Sequence, residues 1–189
     1  MTEQDGSGQD GLDDDDPIAA TRRWLERAVI GLNLCPFAKA VHAKGQIRYV
    51  LSVANTPEQL LEHLGAELLL LRDTPVDQVD TTLLVHPDAL QDFLDYNDFL
   101  DAADELVAEL ELDGVVQVAS FHPHYQFAGT APGDIENCSN RSPYPTLHLL
   151  REDSVARAVA VYPDPDAIVD RNIDTLRELG PEGWKNLFT

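Results

Sequence analysis

Apolar residues fall into short blocks separated by polar and proline-rich breaks. Ile18, Thr21, Leu25, Ala28, Val29 and Leu32 recur at the spacing of one helix face, with Trp24 beside them. Asp16 followed by Pro17 predicts an N-cap and a proline at the first helical position, and the helix should fade near Asn33. Cys35–Pro36 restarts the chain, Phe37 to Ala43 predict a short second helix, and Gly45 ends it. The run 47–53 (IRYVLSV) predicts a strand. Thr56, Pro57, Glu58 and Gln59 form a capping-box start, with Leu60, Leu61, Leu64, Leu68 and Leu71 as the buried stripe behind it.

Thr81 to Val85 predict a short buried strand that ends at His86–Pro87. From Asp88 to Leu112 the pattern is helical, but Asp95, Tyr96, Asn97 and Asp98 are polar enough to predict a break into two helices. Val115 to Phe121 form a third strand. A loop of roughly twenty residues follows, from His122 to Pro143, and loops of that length in compact domains are usually functional or disordered. Leu147 to Leu150 predict a fourth strand. Asp153 or Ser154 caps a short helix, and Asp164–Pro165 opens a last one that stops at Gly180. Trp184, Leu187 and Phe188 should pin the C-terminus.

Strands alternating with helices predict an α/β sandwich, a mixed four-stranded sheet covered by helices, with neighbouring β-α-β strands parallel. The direction of the fourth strand is left open. Residues 1–16 combine Gly, Ser, Gln and Asp with one Leu, which predicts a disordered acidic tail ahead of a single domain over 17–189.

Charge narrows the partners. The net charge is −21, and the first sixteen residues carry seven acids and no base, so the remainder keeps −14. Such a surface repels nucleic acid and anionic membranes, and a small-molecule ligand is among the partners that remain open. The two cysteines show no framework spacing, and no run is apolar enough to span a bilayer, so a reducing cytoplasm is the expected location.

The runs 31–40 (GLNLCPFAKA), 81–87 (TTLLVHP), 92–101 (DFLDYNDFLD), 117–130 (QVASFHPHYQFAGT), 140–152 (NRSPYPTLHLLRE) and 172–180 (NIDTLRELG) form a recognisable set. Together, over residues 17–188, they resemble the bacterial family known as domain of unknown function 1415. The resemblance implies a stand-alone cytoplasmic domain and brings no established activity, cofactor or catalytic residue. Cys35, His86, Asn97, His122, Asn140, Arg141 and His148 lie inside these runs, whereas His124 and Cys138 depart from the family's usual pattern.

The candidate chemistry follows from those residues. With Pro36 at the first helical turn, Cys35 would stand at an N-cap, where unpaired N–H groups favour a thiolate; otherwise it is a buried, inert thiol at a helix junction, flanked by Leu34 and Phe37. His86 and His122 each end a strand before a proline. If the strands run the same way, both imidazoles share one rim as an acid/base pair or as metal ligands. Otherwise each caps its strand through the backbone. Arg141, with Asn140 beside it, is a candidate clamp for an anionic group, or alternatively a loop-fixing salt bridge. Asn97, with its flanking aspartates, either faces the histidine rim or is a solvated helix face. A metal site from His122, His124, Cys138 and His148 lacks any paired C-x-x-C spacing. No P-loop, G-x-G-x-x-G, H-E-x-x-H or G-x-S-x-G is present, so no cofactor is named.

Two function classes result. One is a small-molecule enzyme with Cys35 as nucleophile, His122 and His86 as acid/base groups, and Arg141, Asn140, Asn97 and His148 binding an anionic substrate. The other is a non-catalytic domain that binds a small ligand, a partner, or a metal through the strand-end histidines.

Overall fold

A computed structural model describes residues 16–189; the expected disordered tail, apart from Asp16, lies outside the described residues. The Asp16 carboxylate accepts the Ile18 amide at 2.9 Å and caps α1 (Pro17–Trp24), which runs on as a π-helical turn over Leu25–Ile30. Asn33 ends it with a φ of 55°. After α2 (Ala38–Ala43), Gly45 reverses the chain with a φ of +68° and β1 (Ile47–Leu51) begins. The Thr56 hydroxyl accepts the Gln59 amide at 3.3 Å, and α3 (Pro57–Asp73) follows, leading to β2 (Thr81–Val85).

The stretch after β2 departs from expectation. It forms one helix, α4 (Phe93–Glu109), rather than two. Asp92 caps it, and Tyr96, Phe99, Ala103 and Val107 make its buried stripe. Asp95, Asn97 and Asp98 face solvent, where polar residues cost only tenths of a kcal/mol each in helix propensity. The chain then gives β3 (Val116–Phe121), a 3₁₀ turn over Ile135–Asn140 inside the long loop, and β4 (Thr146–Arg151). The last helices are α5 (Glu152–Val161), which starts without the expected side-chain cap, and α6 (Ile168–Asn186). At Gly180 (φ +68°) α6 kinks rather than stops, and Pro181 opens its second limb.

The four strands lie in the order β1-β2-β4-β3. β1 and β2 are parallel across α3, while β4 is antiparallel to both β2 and β3. β2 and β3 therefore run the same way, and the residues that follow them, His86 and His122, leave the sheet at the same edge.

Alternation along the strands gives the sheet two faces. One buries Leu84, Leu147, Leu149 and Val116 against Leu60, Leu64, Leu68 and Leu71 of α3 and the inner stripe of α4. These leucines are 0% exposed, and each stabilises by roughly 1.5–3 kcal/mol relative to exposure. The other face carries Ile47 and Tyr49 of β1 and the residue ending β3, Phe121, against Trp24, Leu25, Ala28 and Val29.

Tyr96 fastens α4 to the sheet edge. Its hydroxyl donates to the Thr146 carbonyl at 2.9 Å and accepts the Phe121 amide at 3.1 Å, and Thr146 and Phe121 are themselves paired across β3 and β4. Tyr96→Phe keeps the ring but leaves both backbone groups unsatisfied. It should destabilise the fold by about 2 kcal/mol in urea unfolding, where a loss of under ~0.5 kcal/mol would show that the hydroxyl is dispensable.

Candidate functional site

The strand-end histidines do come together, but inside the protein. Both are 0% exposed and both pack on Tyr96, with ring centroids 5.8 Å (His86) and 5.1 Å (His122) from it. The backbone N–H of His86 donates to the Pro145 carbonyl at 3.0 Å, and its Nδ1 donates to the Ala89 carbonyl at 3.0 Å. The proton is thus on Nδ1, and Nε2 is left buried without a partner. His122 Nε2 donates to the Leu90 carbonyl at 3.2 Å, while Nδ1 accepts the His124 amide at 3.0 Å. Both rings are therefore held neutral by backbone groups, and burial pulls both pKa values down. Neither lines the cavity under the long loop or the one on the second sheet face.

Arg141 and Asn140 serve the loop. The Arg141 guanidinium donates to the carbonyls of Tyr125 (3.1 Å) and Pro132 (2.7 Å). Asn140 Nδ2 donates to the Ser120 carbonyl at 3.2 Å, and its own carbonyl accepts the His122 amide at 3.2 Å. Asn137, fully buried, accepts from the Phe127 amide and the Thr130 hydroxyl and donates to the Ala131 carbonyl. These bonds order the loop from 122 to 143. Asn97 lies exposed on α4. Among the described residues no three His, Cys, Asp or Glu side chains are grouped to hold a metal. His148 in particular lies on the sheet face away from the His122 ring.

Cys35 corrects another expectation. Pro36 is not the first residue of the helix; α2 begins at Ala38 with Phe37 at its N-cap. Backbone hydrogen bonding from Phe37 and Ala38 pulls the Cys35 pKa down, but burial outweighs it and pushes the thiol up. Both cysteines are free thiols.

What Cys35 shares is space. A chamber of about 600 Å³ lies between the second sheet face and helices α1, α2 and α5. Leu83, Ala119, Phe121 and His148 make its floor, and Trp24, Cys35, Phe37, Val155, Ala158 and Tyr162 stand around it. Val161, also in its wall, is 83% exposed, so the chamber reaches the surface there. A second cavity of about 430 Å³ lies under the long loop and shares Val29, Cys35 and Phe121 with the first. Of the expected site residues, Cys35 and His148 meet in the larger chamber, and Asn140 lines the smaller one.

Sequence reasoning missed Thr81 and the alanine walls. The signal was the two-residue alternation, which puts Thr81 and Leu83, Ala119 and Phe121, and His148 and Leu150 on one face. Small side chains at Ala38, Ala40, Ala119 and Ala158 leave the space that larger ones would fill.

A separate polar row joins β1 to α3. His63 Nδ1 is 2.9 Å from the Ser52 hydroxyl, and Glu67 forms a bidentate pair with Arg48 at 2.8 and 2.9 Å. Although it has the membership of a catalytic triad, it lacks the geometry. His63 Nε2 is 4.0 Å from Glu67, too far for a hydrogen bond, and Ser52 is 1% exposed and lines neither cavity.

His86 gives a pH dependence of stability. Burial lowers its pKa from 6.5 to about 4 beside Tyr96 and His122, so between those values the unfolded chain binds a proton that the folded chain refuses. Its contribution is full above pH 6.5 and is lost as pH falls toward 4, at up to about 1.4 kcal/mol per pH unit. His86→Asn, whose amide can still donate to Ala89, should show a shallower loss of urea stability across that window; an unchanged slope contradicts it. For Cys35, the rate of alkylation by iodoacetamide should rise with a midpoint above that of free cysteine measured alongside. A lower midpoint would restore the activated thiolate.

Two comparisons, with curated proteins and with solved structures, give no match to this chain. A family model described as protein of unknown function (DUF1415) matches residues 16–186, the whole described domain but for its last three residues. The chain belongs to the DUF1415 family.

Proposed function

We propose that this domain binds a small, mainly apolar organic molecule in the chamber between the sheet and helices α1, α2 and α5. The observation that carries the reading is the chamber itself. Interiors are normally packed to crystal density, and a surface-reaching apolar space of this size is the usual form of a ligand site. Its walls are aromatic and aliphatic, and the few polar groups sit at one end, where Asp80, Thr81, His148 and Ser154 gather. The anionic substrate expected from Arg141 loses its anchor, because that guanidinium is engaged with carbonyls and lines neither cavity. The acidic surface supports a role without nucleic acid or an anionic membrane as partner.

A catalytic reading is favoured by one observation. Cys35 shares the chamber with an imidazole, that of His148 rather than His122. A nucleophilic Cys35 would then work on whatever the chamber holds.

The test is to fill the space. The neutral fluorescent probe N-phenylnaphthylamine should bind the full chain with micromolar affinity, by the ordinary scale of apolar pockets. Ala119→Phe and Ala158→Phe, from opposite walls, should each weaken it at least about tenfold while thermal unfolding stays cooperative. Absence of binding to the unaltered chain, or binding indifferent to both substitutions, contradicts the proposal.

A further inference from the structure

We infer that the chamber selects neutral aromatic or alicyclic molecules that carry a hydroxyl group, and that His148 Nδ1 is the atom that accepts its hydrogen. This deepens the ligand-binding proposal and rests on it.

The inference begins with Thr81. Its hydroxyl oxygen lies 2.6 Å from the Leu149 carbonyl and 2.7 Å from His148 Nε2. A carbonyl can only accept, so the single hydroxyl proton points to Leu149. The oxygen must then accept from His148, which places the ring proton on Nε2 and leaves Nδ1 as a bare lone pair. No described residue donates to that atom, and the ring lines the chamber against Phe121, with centroids 5.9 Å apart. Burial lowers the His148 pKa to about 4, so the lone pair persists at neutral pH.

The surroundings exclude other ligand classes. Arg151, the guanidinium in the wall, donates to the carbonyls of Leu71, Thr74 and Val79. The Asp80 carboxylate accepts the Ser154 hydroxyl. An entering anion therefore meets a lone pair and a carboxylate, while the Nε and Nη2 donors of Arg151 are turned to carbonyls and Arg157, which donates to Ser154 at 2.9 Å, stands exposed outside the lining. A hydroxyl on an apolar body instead finds acceptors at the polar end, of which the His148 lone pair has no donor among the described residues, and aromatic walls for the rest. A site built around an acceptor that faces an apolar chamber discriminates against analogues that lack the donor.

The experiment compares four probes on the full chain by titration calorimetry: naphthol, naphthalene, methoxynaphthalene and naphthoate. Naphthol should bind about tenfold more tightly than naphthalene or methoxynaphthalene, with naphthoate weakest. His148→Leu should bring naphthol down to the naphthalene level and leave naphthalene unchanged. In the unaltered chain, the ¹⁵N resonance of His148 Nδ1 should move upfield with naphthol and stay fixed with naphthalene, a readout independent of whether the variant folds. Equal affinity for naphthol and naphthalene, a naphthol preference that survives in the variant, or a static Nδ1 resonance overturns the hydroxyl inference while the chamber remains a ligand site. Failure of all four to bind overturns both.

Discussion

A sheet has two faces, and each apolar face must be covered by something of matching shape. Here the coverage is unequal, and the rest of the structure follows from that. Against one face, α3 and α4 are 17 residues each and present Leu60, Leu64, Leu68, Leu71, Tyr96 and Phe99, which leave no large space. Against the other stand α2 of 6 residues, α5 of 10, and the π-helical end of α1, with alanines at several facing positions. Short helices and small side chains cannot fill that face. Volume that close packing would remove stays open, at a cost in cohesion that a bound molecule would return.

The insertion of β4 between β2 and β3 decides how the remaining polar groups are used. It makes β2 and β3 point the same way and delivers His86 and His122 to one edge, where an open α/β sheet would place its ligand crevice. Tyr96 and the ordered loop close that edge instead. The imidazoles spend their hydrogen bonds on carbonyls and amides, and they brace the sheet edge. Of the candidate residues, it is Cys35, ahead of α2, and His148, on the sheet's second face, that line the chamber, rather than the pair at the strand ends.

Much of this was legible in the residues. Period-two runs located all four strands to within about two residues, and Asp16 and Thr56 announced their helices through side-chain chemistry that reads locally. The break expected at Asp95–Asp98 failed because those residues occupy the solvent side of a helix whose other side is fixed by Tyr96 and Phe99; tertiary burial overrides weak propensity. Cys35 failed differently. The backbone of Phe37 and Ala38 does favour its thiolate, but burial, which no local pattern reports, sets the sign of its pKa shift. Arg141 fits both a clamp and a brace by residue type, and only the carbonyls of Tyr125 and Pro132 separate the two. His148 stood among the candidates, yet its tautomer depends on Thr81, 67 residues away in the chain.

The unfilled sheet face is most directly examined by xenon, which enters apolar cavities of protein crystals without needing any particular polar group. Crystals pressurised with xenon should show its density among Leu83, Phe121, Val155 and Ala158, and none within the leucine core beneath α3 and α4. A crystal with α5 collapsed onto Ala119 and Phe121, or with no xenon there, would contradict the existence of the chamber.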